Sequence, residues 1–318
     1  MRNTQAWRPD LEPVVRSPEV KRGPREGQTL AGDSLWVRYF NFVKLPHTLF
    51  ALPFALLGVV YASGVRALEL RQLVLVVVAF TAARFAAMGF NRIVDRRIDA
   101  LNPRTRDREL PAGRLSLRQA SVAVAIGCLV FVLAAGMLNR LCLLLSPVAL
   151  AWILLYSYTK WWTHWSHFWL GASLAIAPVG GYLAITGAWS DPWWALLAIA
   201  GAVTLWVAGF DILYALQDES FDRAQGLRSM VVWLGARGSI LVARAVHLLT
   251  VLLLVLFGLG AGFGVWYYGG VVAAGLLLFW EHRLVRPGDL SRLDAAFFTM
   301  NGVLSVVVFL AALMDRIT

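Results

Sequence analysis

From Trp36 onward the chain is a succession of apolar blocks of roughly 17–22 residues, each followed by a short polar segment. A helix of that length crosses a hydrocarbon layer of ~30 Å. No block alternates polar and apolar residues with period two, and backbone groups in lipid must be satisfied within their own segment. The pattern therefore predicts helices and excludes a barrel. Nine spans are expected near 46–64, 72–90, 119–138, 141–159, 168–187, 193–213, 239–260, 264–281 and 295–314. The apolar stretch from 239 to 281 is too long for one crossing, and Gly260, Gly262 and Gly264 divide it. Ser116 and Gln119 have the spacing of a capping box opening the third span. Trp36 to Lys44 reads as an interfacial approach helix. Residues 1–34 are rich in Pro, Arg, Glu and Gly and carry no apolar signal-peptide core, so a mobile cytoplasmic tail is expected before a transmembrane domain at 35–318.

Composition agrees with a membrane protein: 59% of residues are hydrophobic, 14 are Trp, and mean hydropathy is +0.65. A net charge of +10 in a soluble protein would suggest nucleic acid. Here the positive residues lie in the loops, where topology and anionic headgroups account for them, and no nucleic-acid partner is expected. With the N-terminus inside, 23 of the 29 Lys and Arg residues fall in cytoplasmic segments. Only Arg66, Arg71, Arg140 and Arg316 fall on the opposite side. That asymmetry predicts an integral protein of the cell inner membrane with its N-terminus cytoplasmic and its C-terminus across the membrane. Cys128 and Cys142 both lie in apolar blocks, as packing residues rather than a disulfide framework.

The chemistry concentrates in two segments. In the first, Asn91, Asp95 and Asp99 recur at i, i+4 and i+8, which puts an amide and two carboxylates on one helical face. Clustered carboxylates repel unless a cation lies between them, and hard oxygen donors suit Mg²⁺. Arg104, Arg106, Arg108 and Arg114 follow as partners for phosphate oxygens. The plain alternative is an arginine-rich loop that only fixes orientation. In the second segment Asp211, Asp218 and Asp222 are spaced by seven and four, again one helical face, joined by Tyr214. Both segments end spans of the same orientation, so the two clusters can each hold a metal and grip a diphosphate between them. The Asp95/Asp99 and Asp218/Asp222 pairs lie 123 residues and four spans apart, a weak sign of a duplicated four-helix unit.

These residues resemble the UbiA superfamily of intramembrane aromatic prenyltransferases. Its first motif, N-x-x-x-D-x-x-x-D followed by R-T-x-x-R, is matched by Asn91, Asp95, Asp99, Arg104, Thr105 and Arg108. Its second, D-x-x-Y-A-x-x-D-x-x-x-D followed by G-x-x-S, is matched by Asp211, Tyr214, Ala215, Asp218, Asp222, Gly226 and Ser229. Glu109 stands where the family often has proline, and Arg228 where lysine is common. The segment from His47 to Phe54 and the wording around Asp211 look like the 4-hydroxybenzoate branch, which includes enzymes of the futalosine menaquinone route.

The resemblance implies an all-α bundle of nine transmembrane helices with a polar cavity facing the cytoplasm and an apolar tunnel for an isoprenoid tail. It implies Mg²⁺ on Asp95 and Asp99 and on Asp218 and Asp222, with Asn91 as a further ligand. Arg104, Arg108, Arg228 and Asp211 would bind substrate, and Tyr214 is a candidate to face the allylic cation. The expected substrates are a polyprenyl diphosphate and an aromatic acid, first 4-hydroxybenzoate, with 1,4-dihydroxy-6-naphthoate second. The bilayer is the one macroscopic partner, and no obligate protein partner is evident. Arg84 lies within the second span on the face of Asn91. A charge at that depth costs at least ~2.5 kcal/mol, so it is expected to hold the acceptor carboxylate or a diphosphate oxygen, with a structural ion pair as the alternative. Arg244 and His247 share a face of the seventh span without a motif. Trp161, Trp162, Trp165 and Trp169, with His164 and His167, read as an interfacial belt and not as a metal site. A transporter is the rival from another class, although transport sites favour broken helices at the bilayer midplane. A CDP-alcohol phosphotransferase would need a D-G-x-x-A-R block, and the chain has none.

Overall fold

The computed structural model describes residues 32, 34–44, 48–285 and 300–318, and all regular structure among them is helical. A short α1 (Leu35–Phe42) is followed by α2 (Thr48–Ser63), α3 (Leu70–Leu101), α4 (Leu117–Leu138), α5 (Arg140–Thr159), α6 (Ser166–Thr186) and α7 (Trp193–Ala215). A 3₁₀ turn at Leu216–Asp218 leads into α8 (Glu219–Ala224), then α9 (Met230–Ala261), α10 (Val265–Leu284) and α11 (Asn301–Ile317). Among the described residues six segments are long and apolar enough to cross a membrane: α3, α4, α5, α6, α7 with its extension to Ala224, and α9. The tail apart from residues 32 and 34, His47, and the segment 286–299 that opens the expected last span lie outside the described residues.

Several boundaries follow local chemistry. Ser116 Oγ accepts from Gln119 N at 3.2 Å while Gln119 Oε1 accepts from Ser116 N at 2.9 Å, the expected capping box. Gly262, in a left-handed conformation, ends α9 and separates it from α10, as expected. A short helical piece at 230–234 opens α9, capped by Ser229, which accepts from Val232 N at 3.2 Å. Gly235, at φ 67°, a conformation open to glycine and strained for other residues, breaks it from the helix that runs on to Ala261, so the seventh crossing starts close to the expected 239. Two expectations need correction. Asp211, Asp218 and Asp222 are not carried by one continuous α-helix, since a 3₁₀ turn at Leu216–Asp218 separates α7 from α8. Arg244 and His247 also part company: Arg244 is exposed, whereas His247 is buried, with its ring nitrogens 3.0 Å from His282 Nε2 and 3.2 Å from the Trp206 carbonyl. The two positions span the edge of the buried face, so three residues of rotation suffice to separate them.

Without a hydrophobic drive between helices in lipid, association depends on close packing through small residues. A Cβ on Gly58 of α2 would run into the Pro178 carbonyl of α6, so those backbones touch only because position 58 has no side chain. The central core joins α2, α6, α7, α9, α10 and α11 around Phe54, Leu57, Leu196, Ile199, Phe257 and Tyr267. The outward residues, such as Leu144, Leu248, Leu259 and Val265, are exposed and apolar, which suits lipid rather than water. Helix α1, expected at the interface, is docked on the bundle: Phe42 and Val43 are buried against Leu115 and Ala120, and Arg38 Nη1 donates to the Arg114 carbonyl at 3.1 Å. This packing sets α1 and the 102–116 loop beside the end of α3 that carries the acidic motif.

Candidate functional site

Both motifs line one polar cavity of about 310 Å³. Asn91, Asp95 and Asp99 reach it from α3, Arg104 and Arg108 from the loop beyond, Asp211 and Tyr214 from the end of α7, Asp218 from the 3₁₀ turn, and Asp222 and Arg228 from the segment that follows. Every motif residue expected at the site is therefore at it, and Arg84 lies in a second cavity that adjoins it. The helical spacing of the first motif holds: Asn91 Nδ2 donates to Asp95 Oδ2 at 3.1 Å along α3.

Asp95, Asp99, Asp211 and Asp218 each have a charged or hydrogen-bonding neighbour. Lys160 Nζ stands 2.6 Å from Asp95 Oδ1. Arg108 Nη1 donates to Asp99 Oδ1 at 2.7 Å, and Arg92 lies 3.9 Å from the other oxygen. Arg104 grips Asp218 with Nε at 3.0 Å and with Nη2, while Nη1 donates to the Tyr214 hydroxyl at 3.2 Å. Its guanidinium also stands over the Tyr214 ring, 5.3 Å from the centroid. Asn102 Nδ2 adds 3.1 Å to Asp218 Oδ1, and its own oxygen accepts from Arg104 N at 2.9 Å. The loop after the first motif is thus clamped onto the second. Asp211 Oδ2 lies 2.6 Å from His167 Nδ1. Arg228 turns its Nη1 to the Trp162 carbonyl at 2.9 Å, so it supports the 160–167 loop as well as lining the cavity. Glu109, the departure from the family's proline, stays out of the cavity: it is buried, 3.8 Å from Arg114, and burial pushes its carboxyl above the usual range.

Lys160, His167 and Asn102 escaped the sequence reading. Lys160 counted there as one orientation charge, and His167 was placed in the tryptophan belt. Trp152 stacks on Trp169 at 4.1 Å with Trp162 edge-on to it, whereas His167 lines the polar cavity. The available signal was a Lys and a His bracketing the short loop between two spans.

The oxygen donors suit Mg²⁺. Asp99 Oδ2 is buried without a hydrogen bond, Asp95 Oδ1 meets only the lysine ammonium, and the Asp222 carboxylate makes no hydrogen bond or ion pair among the described residues. Among the described residues no three His, Cys, Asp or Glu side chains converge to enclose an ion. An open site of one or two carboxylates is what Mg²⁺ takes when it keeps water and phosphate in its remaining positions.

The second cavity, about 780 Å³, is walled by apolar residues of α3 to α7, among them Phe80, Leu138, Trp152, Ile153 and Phe210. Arg84 is the cation in its lining; its Nε is buried without a hydrogen bond, and the residue makes no ion pair among the described residues. That removes the structural-pair alternative within the described chain. Met88, Asn91, Tyr156 and Asp211 line both cavities, so the two meet there.

Residues 51–303 match the profile of the UbiA prenyltransferase family. The chain belongs to that family. Family membership makes it a polyprenyltransferase and ends the transporter reading. Curated UbiA relatives include the 4-hydroxybenzoate octaprenyltransferase of Alkalilimnicola ehrlichii, 32% identical over 249 residues, which covers 78% of this chain and 83% of that one. The protein of the same name from Nitrosospira multiformis is 31% identical over 254 residues, covering 80% and 85%. Among solved structures, the apo UbiA homologue from Aeropyrum pernix K1 superposes with a TM-score of 0.78 at 32% identity, covering 85% of this chain and 98% of that one. A UbiA homologue from Archaeoglobus fulgidus bound to GPP and Mg²⁺ gives a TM-score of 0.70 at 21% identity, covering 88% and 100%, and shares the fold.

Proposed function

We propose that the chain transfers a polyprenyl group from polyprenyl diphosphate to a ring carbon of an aromatic acid, 4-hydroxybenzoate in the first instance, in quinone biosynthesis. The observation that carries the reading is the junction of a carboxylate-lined polar cavity with a large apolar one that contains a buried arginine, unpaired among the described residues. The first has the donors for a metal and a diphosphate, the second has room for a prenyl chain, and Arg84 offers a counter-ion to a carboxylate. The names of the curated relatives favour the benzoate over the naphthoate.

Asp95, Asp99, Asp218 and Asp222, with Asn91, would hold Mg²⁺. When bound, it supplies Lewis-acid neutralisation of the diphosphate that leaves. Arg104, Arg108 and Lys160 line the same cavity and give charge-assisted hydrogen bonds to phosphate oxygens. Their ion pairs to the aspartates hold these cations at the site before substrate arrives. The apolar walls keep water from the allylic centre. The Tyr214 ring already carries the Arg104 guanidinium on one face, which sets its orientation toward the cavity.

Around this site residues 35–318 form one unit of nine crossings, with the polar cavity on the cytoplasmic side and the C-terminus opposite. The direct test is release of inorganic diphosphate from purified protein given polyprenyl diphosphate and a panel of aromatic acids, with and without Mg²⁺, followed by mass spectrometry of the lipid product. Mg²⁺-dependent release with a ring-prenylated benzoate supports the reading. Release without any aromatic product overturns the acceptor class.

A further inference from the structure

The junction of the two cavities holds a pair of side chains that the mechanism above leaves idle. His167, at the start of α6, is 4% exposed, and its Nδ1 lies 2.6 Å from Asp211 Oδ2. In that contact a neutral imidazole donates its Nδ1 proton to the carboxylate and keeps the lone pair on Nε2. Nε2 is buried and has no hydrogen-bond partner among the described residues. A ring nitrogen left so costs roughly 1–3 kcal/mol of stability, and a histidine serving only to pack would not need it. His167 lines the polar cavity, and its partner Asp211 lines both cavities. The first carbon of a prenyl donor links the diphosphate to the apolar chain, so it has to lie where these cavities meet. The acceptor carbon must approach the same point.

We propose that His167 Nε2 is the base that takes the proton from the prenylated ring carbon, with Asp211 as its positioning residue. The inference rests on the aromatic-acceptor reading. As the donor C–O bond breaks, its electron pair leaves with the diphosphate, and a ring π pair forms the new C–C bond. The ring carbon then carries both the prenyl group and its original hydrogen. Nε2 takes that hydrogen as a proton, and the C–H electron pair restores aromaticity. Asp211 stabilises the imidazolium through Nδ1–H, and the proton passes to the departing diphosphate, which resets the neutral ring. Overall a C–H and a C–O bond are exchanged for a C–C bond and a diphosphate O–H bond. No oxidant is required.

The experiment compares 4-hydroxybenzoate with the same acid deuterated on the ring carbons beside the hydroxyl, using full-length protein with Mg²⁺ and polyprenyl diphosphate. In the wild type, breaking the donor C–O bond limits the rate, and deuterium has little effect. In His167→Gln, kcat falls roughly 100-fold, the scale of a lost general base, and KM for both substrates changes little. A primary isotope effect appears on kcat, because proton removal has become limiting. Asp211→Asn shows the same isotope effect with a smaller loss, and it decides the matter by the same criterion if His167→Gln does not fold. A fall in kcat without an isotope effect, a loss confined to KM, or an unchanged kcat each overturns the assignment. Absence of ring-prenylated product from the wild type overturns the acceptor reading and this inference with it. Product from the wild type with no isotope effect in either variant overturns the base alone.

Discussion

Arg84 is a cation without a counter-ion among the described residues, set in an apolar wall, and such a group persists when a ligand supplies the missing charge. It lies roughly 10 Å along the axis of α3 from Asn91, at ~1.5 Å per residue, which leaves room for an aromatic acid between it and the cavity junction. Arg84→Leu is expected to raise the acceptor KM by roughly 10- to 100-fold, the scale of a charge-assisted hydrogen bond of about 1.5–3 kcal/mol. The donor KM should change little, since only one substrate loses a contact. If the donor KM rises instead, Arg84 holds diphosphate. Asp95→Asn, Asp99→Asn, Asp218→Asn and Asp222→Asn keep the size of each side chain and remove its charge. Each is expected to insert and purify like the wild type while losing most of its turnover; near wild-type rates at saturating donor in any two of them would end the two-cluster mechanism. At this scale the first motif was legible because Asn91, Asp95 and Asp99 recur every fourth residue on one strip of helix. His167 and Lys160 were not, because Asp211 and Asp95 become their neighbours only after helices fold together across 44 and 65 positions of chain.

Helices were legible wherever composition and caps alone decide the outcome. The apolar blocks became helices, Ser116 and Gln119 closed their capping box, and the glycines after Leu259 separated α9 from α10. The break in the second motif was not legible, since a spacing of seven and four is helical whether or not a 3₁₀ turn intervenes. Nor was the short helical piece at 230–234, which Gly235 at φ 67° breaks from the crossing helix that follows. Contacts between helices offer a sharper test. Gly58 meets the Pro178 carbonyl with no space for a Cβ, whereas a Cβ on Gly269 of α10 meets nothing within 4 Å. Gly58→Ala is expected to cost roughly 1–3 kcal/mol by forcing α2 from α6. Gly269→Ala should be neutral or stabilising by up to about 1 kcal/mol through helix propensity. Thermal unfolding in detergent measures both, and equal midpoints for the two variants would show that α2 and α6 tolerate separation.

Across the whole molecule, one polar cavity receives side chains from α3, the 102–116 loop, α6, α7 and α8, so those chain ends must lie on the same side of any membrane the bundle crosses. The opposite end is reached by following α6: its 21 residues, at ~1.5 Å each, carry the chain about 30 Å from His167 to the turn before α7. We propose that the cavity end faces the cytoplasm, because the loops expected on that side bear the great majority of the Lys and Arg residues. Asp107, Ala224 and Trp189 are all exposed, which makes them suitable reporters. Single cysteines at these positions, with Cys128 and Cys142 replaced, should separate cleanly. Asp107→Cys and Ala224→Cys are expected to react with an impermeant thiol reagent only when the cytoplasmic face is open to it, and Trp189→Cys only from the outside. Labelling of 107 and 224 from opposite faces contradicts a shared diphosphate site. Labelling of all three from one face contradicts the crossing of α6, and with it the count of nine.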